Sequence, residues 1–136
     1  MKLSFEEDIK FSAAHYIPDH PKCGGIHGHT YFVRNLTVEV DEFDKNGMSI
    51  DFGIIKDYFK REWDHKFIIP TEDADFWKHI YEECGNNAVA DNRKLVKHTT
   101  AEYMAEKMQE DLINIFERRY TPHFTLCEGP DQGVEV

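Results

Sequence analysis

From residue 3 to residue 15 apolar and polar positions alternate. Leu3, Phe5, Ile9, Phe11 and Ala13 share one phase, and Glu6, Asp8 and Lys10 share the other. This predicts a half-buried strand over residues 3–15. His15 falls on the apolar phase, where a buried polar ring needs a partner. A second alternating run covers residues 26–40. Its apolar phase moves from Tyr31 and Val33 to Leu36, Val38 and Val40, which predicts a bulge near Arg34. Pro18, Asp19, Pro21 and Gly24-Gly25 mark a long connection between the two runs. Pairing them as an antiparallel hairpin brings His15 towards His27 and His29. Asp44-Lys45-Asn46-Gly47 reads as a turn.

The pattern then changes period. Ile54, Ile55, Tyr58, Phe59 and Trp63 form a helical stripe with Asp51 as its N-cap. Asp64-His65 follows, leading into a short strand, Lys66-Phe67-Ile68-Ile69, stopped by Pro70. Residues 71–98 are harder to read. Phe76, Trp77, Ile80 and Tyr81 have helical spacing, Gly85-Asn86-Asn87 ends that piece, and Leu95-Val96 suggests a short strand. Thr99-Thr100-Ala101-Glu102 reads as a capping box. It opens a helix with Ala101, Met104, Ala105, Met108, Leu112 and Ile115 inward. Phe124 to Glu128 is a last strand. The order β-β-α-β-α-β predicts a single α+β domain over residues 1–136, a four-stranded antiparallel sheet with two helices on one face.

Within that frame, Cys23-Gly24-Gly25-Ile26-His27-Gly28-His29 carries the chemistry. Histidines one residue apart on a strand point to the same face. With His15 they make three ligands, the number a catalytic zinc keeps while leaving one position open. Cys23 is a fourth ligand, a nearby thiolate or an inert thiol; spacing alone does not separate these. Glu128 shares its phase with Phe124 and Leu126, and a carboxylate on an apolar face is costly unless paired. Sixteen basic against 26 acidic residues give a net charge of −10. That argues against nucleic acid or an anionic membrane as partner. No apolar run approaches a membrane span, and the N-terminus turns acidic at once. Three cysteines, Cys23, Cys84 and Cys127, are an odd and scattered set, which predicts a reducing, cytoplasmic setting. His20, His79 and His123 read as surface residues, and Cys84 and Cys127 as buried or half-buried thiols.

Taken in order, these segments resemble the 6-pyruvoyl-tetrahydropterin synthase family of the tunnelling fold, over nearly the whole chain. Phe11-Ser12-Ala13-Ala14-His15 resembles its first zinc-ligand segment. Cys23 to His29 is similar to the Cys-x3-His-Gly-His pattern of its carboxy branch, which serves queuosine biosynthesis. Ile50-Asp51-Phe52, Asp64-His65-Lys66 and Thr99 to Glu102 are similar to the ends of its helices. The chain departs from the family in its longer segment between Pro70 and Thr99, in His98 where a proline often stands, and in Cys127-Glu128-Gly129.

The resemblance implies a zinc-dependent lyase. Its substrate would be 7,8-dihydroneopterin triphosphate, and its products 6-carboxy-5,6,7,8-tetrahydropterin, acetaldehyde and triphosphate. It implies zinc on His15, His27 and His29, Cys23 as base, Asp64 and His65 as proton relay, and Glu128 gripping the pterin. It also implies a homo-hexamer, a pair of trimers, with active sites at subunit interfaces. Lys22, Arg34, Lys66 and Arg93 are candidates for triphosphate contacts. The alternatives are the 6-pyruvoyl reaction or a folate-pathway variant on the same substrate, and a non-catalytic zinc-stabilised binding module closed by Cys23.

Overall fold

The computed structural model describes residues 1–84 and 91–136. The long second strand organises everything else. It is β3, His27–Glu39, and two shorter strands share one of its edges. Lys2–Ser4 (β1) pairs antiparallel with its far half, Lys2 opposite Glu39. Ile9–His15 (β2) pairs antiparallel with its near half, running from Ile9 opposite Val33 to His15 opposite His27. The single strand expected over residues 3–15 is therefore two. Their apolar phase is continuous because Leu3, Phe5 and Ile9 all pack on the same core, which hides the break at Glu6–Asp8. The expected irregularity is present: the register of β3 against its other neighbour shifts between Arg34 and Thr37, and Asn35 takes a positive φ of 55°.

Helix α1, Phe52–Glu62, is capped by Asp51, whose carboxylate accepts from the Gly53 amide at 2.8 Å. It returns the chain to β4, Lys66–Pro70, which lies beside β2 and runs parallel to it. A 3-10 turn at Thr71–Asp73 leads into α2, Ala74–Cys84. Strand β5, Arg93–Val96, then adds parallel to β4. Parallel neighbours need a crossover, and here a helix supplies it each time. Helix α3, Ala101–Ile115, leads to β6, Pro122–Glu128, antiparallel to β3, and β7, Gly133–Glu135, closes that edge.

The sheet is thus seven-stranded and mixed, in the order β5-β4-β2-β3-β6-β7 with β1 also on β3. Three α-helices accompany it among the described residues. This corrects the expectation of four antiparallel strands and two helices. Direction depends on how a crossover packs, and periodicity within a strand does not encode it. The proposed stop at Gly85-Asn86-Asn87 lies outside the described residues.

Helices α1 and α3 bury Ile55, Tyr58 and Phe59, and Met104, Met108 and Leu112, against the sheet. Ile54 and Ile115, expected inward, are exposed. Trp63 is fully buried and donates from Nε1 to the Tyr58 hydroxyl, which donates on to Asp111. The α3 cap also differs from expectation. Thr100, not Thr99, is the N-cap and accepts from the Tyr103 amide. Thr99 is buried and turned to another use. Among the described residues no helix is long and apolar enough to cross a membrane.

Candidate active site

Strand pairing assembles the centre. His15 ends β2 and His27 begins β3 as its register partner, and His29 lies two residues further along the same face. The three rings meet edge to face, with centroids 4.6, 5.0 and 4.9 Å apart. One ligand nitrogen from each lies within 4.8 Å of the others. His15 is fully buried, while His27 and His29 are half-buried, so the cluster opens to solvent on one side.

Backbone carbonyls set two of the tautomers. His15 Nδ1–H donates to the Thr99 carbonyl at 2.8 Å, and His27 Nδ1–H donates to the Gly25 carbonyl at 2.7 Å. Each imidazole therefore keeps its Nε2 lone pair free for the centre. Burial pushes the His15 imidazolium pKa down to about 4; the Thr99 carbonyl opposes this, and His27 and His29 add to it. His15 is neutral near pH 7, the form that ligates. Its Nε2 is buried without a protein partner. An orphaned buried acceptor costs about 1–3 kcal/mol, and a cation bound among the three nitrogens removes that cost. Three imidazoles with an open side suit a catalytic transition-metal ion. The donor set fits a metal.

Glu128 faces the same centre from β6, opposite Tyr31 in register. Its two carboxylate oxygens lie 4.0 Å from His15 Nε2 and His29 Nε2, too far to be hydrogen-bonded. It also lines a pocket of about 400 Å³ with Ile17, His20, Thr100, Glu102 and Val134. The Tyr31 hydroxyl is buried without a partner; burial, and then the charge of Glu128, hold it protonated.

Cys23 is half-buried and unpaired, and its thiol stands outside the group of three ligand nitrogens. The connection that carries it is folded by His20, which is exposed as expected. His20 Nδ1 accepts from the amides of Lys22 at 3.1 Å and Cys23 at 2.8 Å. The Cys23 carbonyl accepts from the Ile17 amide at 2.8 Å. Gly24 passes close enough to the His20 carbonyl that a Cβ there would lie 2.6 Å from its oxygen.

Asp64 and His65 are elsewhere. They touch each other, His65 Nδ1 to Asp64 Oδ2 at 2.9 Å, because His65 turns at a φ of 62° rather than lying in a strand. Burial raises the Asp64 pKa, but the Ser12 amide and His65 outweigh it and hold the carboxyl below its usual range. The His65 ring is open to solvent, in a shallow groove with Ser12, Ala14, Thr30, Lys66 and Asn92. Ser12, Ala14 and Thr30 alternate onto the face opposite His15 and His29. By that alternation the His65 groove opens on the other face from the His15 and His29 rings, and His29 also borders it. Of the basic candidates, Arg34 is paired with Asp8 and Arg93 with Asp91. Lys66 borders the His65 groove, and Lys22 is exposed. His79 and His123 are exposed as expected. Cys127 is buried, whereas Cys84 is exposed rather than covered, at the end of α2.

A family model described as 6-pyruvoyl tetrahydropterin synthase matches residues 4–136. The chain belongs to this family. It is 31% identical over 136 residues to a 6-carboxy-5,6,7,8-tetrahydropterin synthase of Rickettsia conorii, covering 94% of this chain and 95% of that one. It is 34% identical over 148 residues to a putative 6-carboxy-5,6,7,8-tetrahydropterin synthase of Methanocaldococcus jannaschii, covering 93% and 88%. Among solved structures, an uncharacterized protein from Wolinella succinogenes superposes with a TM-score of 0.73 at 17% identity, covering 100% and 98%. The 6-pyruvoyl tetrahydropterin synthase of Plasmodium vivax does so with a TM-score of 0.65 at 21% identity, covering 100% and 96%. At such identities the structural matches establish the fold alone.

Proposed function

We propose that this chain is a lyase of the 6-carboxytetrahydropterin synthase kind. It converts 7,8-dihydroneopterin triphosphate and water to 6-carboxy-5,6,7,8-tetrahydropterin, triphosphate and acetaldehyde, in queuosine biosynthesis. Its relatives at about 31% identity over most of the chain support the reaction. The structural observation that carries it is the His15 Nε2, buried, neutral and unpartnered, converging with His27 and His29 beside a free carboxylate.

The ion is zinc in this reading, held by His15, His27 and His29; when bound it acts as a Lewis acid towards the hydroxyls of the substrate side chain. Glu128 accepts from the amino and ring N–H edge of the pterin, a two-point contact that fixes its orientation. Cys23, on the connection between β2 and β3, takes a carbon-bound proton as thiolate. Its place outside the ligand group favours base over fourth ligand, and leaves the metal site open. The Asp64 carboxylate orients His65 to relay protons. Because that dyad faces away from the histidines of its own chain, it serves the site of a neighbouring copy. Exposed Phe52 and Ile54 on α1 and Leu95 on the edge strand β5 suit burial between copies, in a hexamer built as a pair of trimers.

The test is to incubate zinc-loaded protein with 7,8-dihydroneopterin triphosphate and identify the products. Acetaldehyde and the 6-carboxy pterin are expected; a retained three-carbon side chain would assign the 6-pyruvoyl reaction instead. A monomer in light scattering at micromolar concentration, with activity intact, would overturn the assembly and with it the shared site.

A further inference from the structure

Helix α2 lies in the segment between Pro70 and Thr99, and the chemistry above makes no use of it. It is nonetheless tied to the metal centre through a short series of hydrogen bonds. The Tyr16 hydroxyl donates to Asp73 Oδ2 at 2.5 Å and accepts from Trp77 Nε1 at 2.8 Å. Its ring packs against Phe67 and Trp77. Tyr16 follows His15 directly, and its backbone carbonyl accepts from the Thr99 hydroxyl at 2.6 Å. The carbonyl of Thr99 accepts in turn from His15 Nδ1 at 2.8 Å. Thr99 is one of only two buried polar or charged residues among those described; the other is His15.

We propose that Tyr16 and Thr99 are positioning residues for the metal centre, through which α2 fixes the orientation of the His15 ring. The inference rests on the reading of the three histidines as metal ligands. Its physical basis is the separation of tasks within Thr99. The hydroxyl pins residue 99 to the main chain beside His15, so the carbonyl presents to Nδ1 from a fixed point. The Tyr16 side chain pins that same main chain from the other side, against the 3-10 turn and α2. A ligating imidazole depends on such a partner for tautomer and aim, and removing it typically weakens metal binding by about 10–100-fold. Neither Tyr16 nor Thr99 lines the pocket beside Glu128.

The experiment compares four variants by metal titration against a chromophoric chelator, and by the d–d spectrum of the Co2+-loaded protein. Tyr16→Phe keeps the ring packing and removes the hydroxyl. Thr99→Val keeps the shape and removes the other hydroxyl. Tyr81→Phe is the control: its hydroxyl lies on the same helix and donates to Asn92, outside the bonds that join Tyr16, Thr99 and His15. Tyr16→Phe and Thr99→Val are expected to bind Zn2+ and Co2+ at least about tenfold more weakly than wild type and to shift the Co2+ spectrum. Tyr81→Phe should match wild type in both, whatever it costs in melting temperature. Thr99→Ser, which restores the hydroxyl, should recover wild-type affinity. If wild type binds neither ion, the metal reading fails. If wild type binds but Tyr16→Phe and Thr99→Val do so with unchanged affinity and spectrum, or Tyr81→Phe weakens binding equally, the positioning role is overturned.

Discussion

Replacing Gly24 with alanine tests how tightly the connection after β2 holds Cys23. A Cβ at position 24 would lie 2.6 Å from the His20 carbonyl oxygen, about 0.7 Å inside the ~3.3 Å at which carbon and carbonyl oxygen meet. The obstacle is backbone, so no rotamer relieves it. The Gly24 amide also donates to that oxygen at 3.0 Å. Residues 20–24 must open, and Cys23, held there by the His20 ring, moves with them. The lost hydrogen bond costs about 1 kcal/mol, a fall of roughly 2–4 °C in melting temperature for a chain of this size. The catalytic cost is larger. Misplacing a reacting group by about 1 Å costs on the order of 10²-fold, or about 2.7 kcal/mol of barrier. His15, His27 and His29 stand on strands and should not move. The expected result for Gly24→Ala is full metal content, a small drop in melting temperature, and kcat for acetaldehyde release lowered about 10²-fold. Wild-type kcat would refute the argument that this backbone contact places the thiol.

Three further outcomes are expected. Cys23→Ala should retain stoichiometric metal and near-normal melting while turnover falls by about 10²–10⁴; loss of the metal would make Cys23 a ligand and close the site. Glu128→Ala should weaken binding of a pterin analogue without releasing metal, and unchanged affinity would return Glu128 to a solvated role. The chelated protein should lose stability as pH falls. His15 titrates near 4 when folded against 6.5 when unfolded, so between those values the unfolded chain binds more protons. Stability contributed by neutral His15 is complete above pH 6.5 and declines towards pH 4, by roughly 3 kcal/mol in all. Urea midpoints from pH 7 to 4 should show this slope in the chelated protein and less of it in His15→Gln.

The histidine cluster was legible because it depends only on alternation. His15 on one apolar phase and His27 and His29 on another come to the same face of the sheet once those phases pack together. The Asp51 cap and the bulge beyond Arg34 were legible for similarly local reasons. The parallel course of β4 and β5 was not, since Phe67 to Ile69 read the same in either direction. Glu6–Asp8 concealed a break because the apolar phase resumes unchanged at Ile9. The contact within Asp64-His65 needed a positive φ that composition does not announce at a histidine. Thr99 and Thr100 look interchangeable in sequence; only burial separates the residue that caps α3 from the one that steers His15. His20 gave no signal at all, because its work is to accept amides from its own loop.

The cross-strand pair of His15 with His27 has a consequence for how this chain can vary. The three ligands converge because β2 is aligned with His15 opposite His27. A slip by one residue turns one ligand to the far side of the sheet, and a slip by two away from His29 carries His15 about 6.8 Å further from it along the strand, beyond reach of a shared ion. The ion site therefore acts as a check on strand alignment, and it sits at the mouth of the connection spanning residues 16–26. Whatever is inserted into or trimmed from that connection hangs from two fixed points. Between Tyr16, tied to the 3-10 turn and α2, and the Gly25 carbonyl that holds His27, the stretch that carries the thiol can be rewritten without disturbing the three ligands.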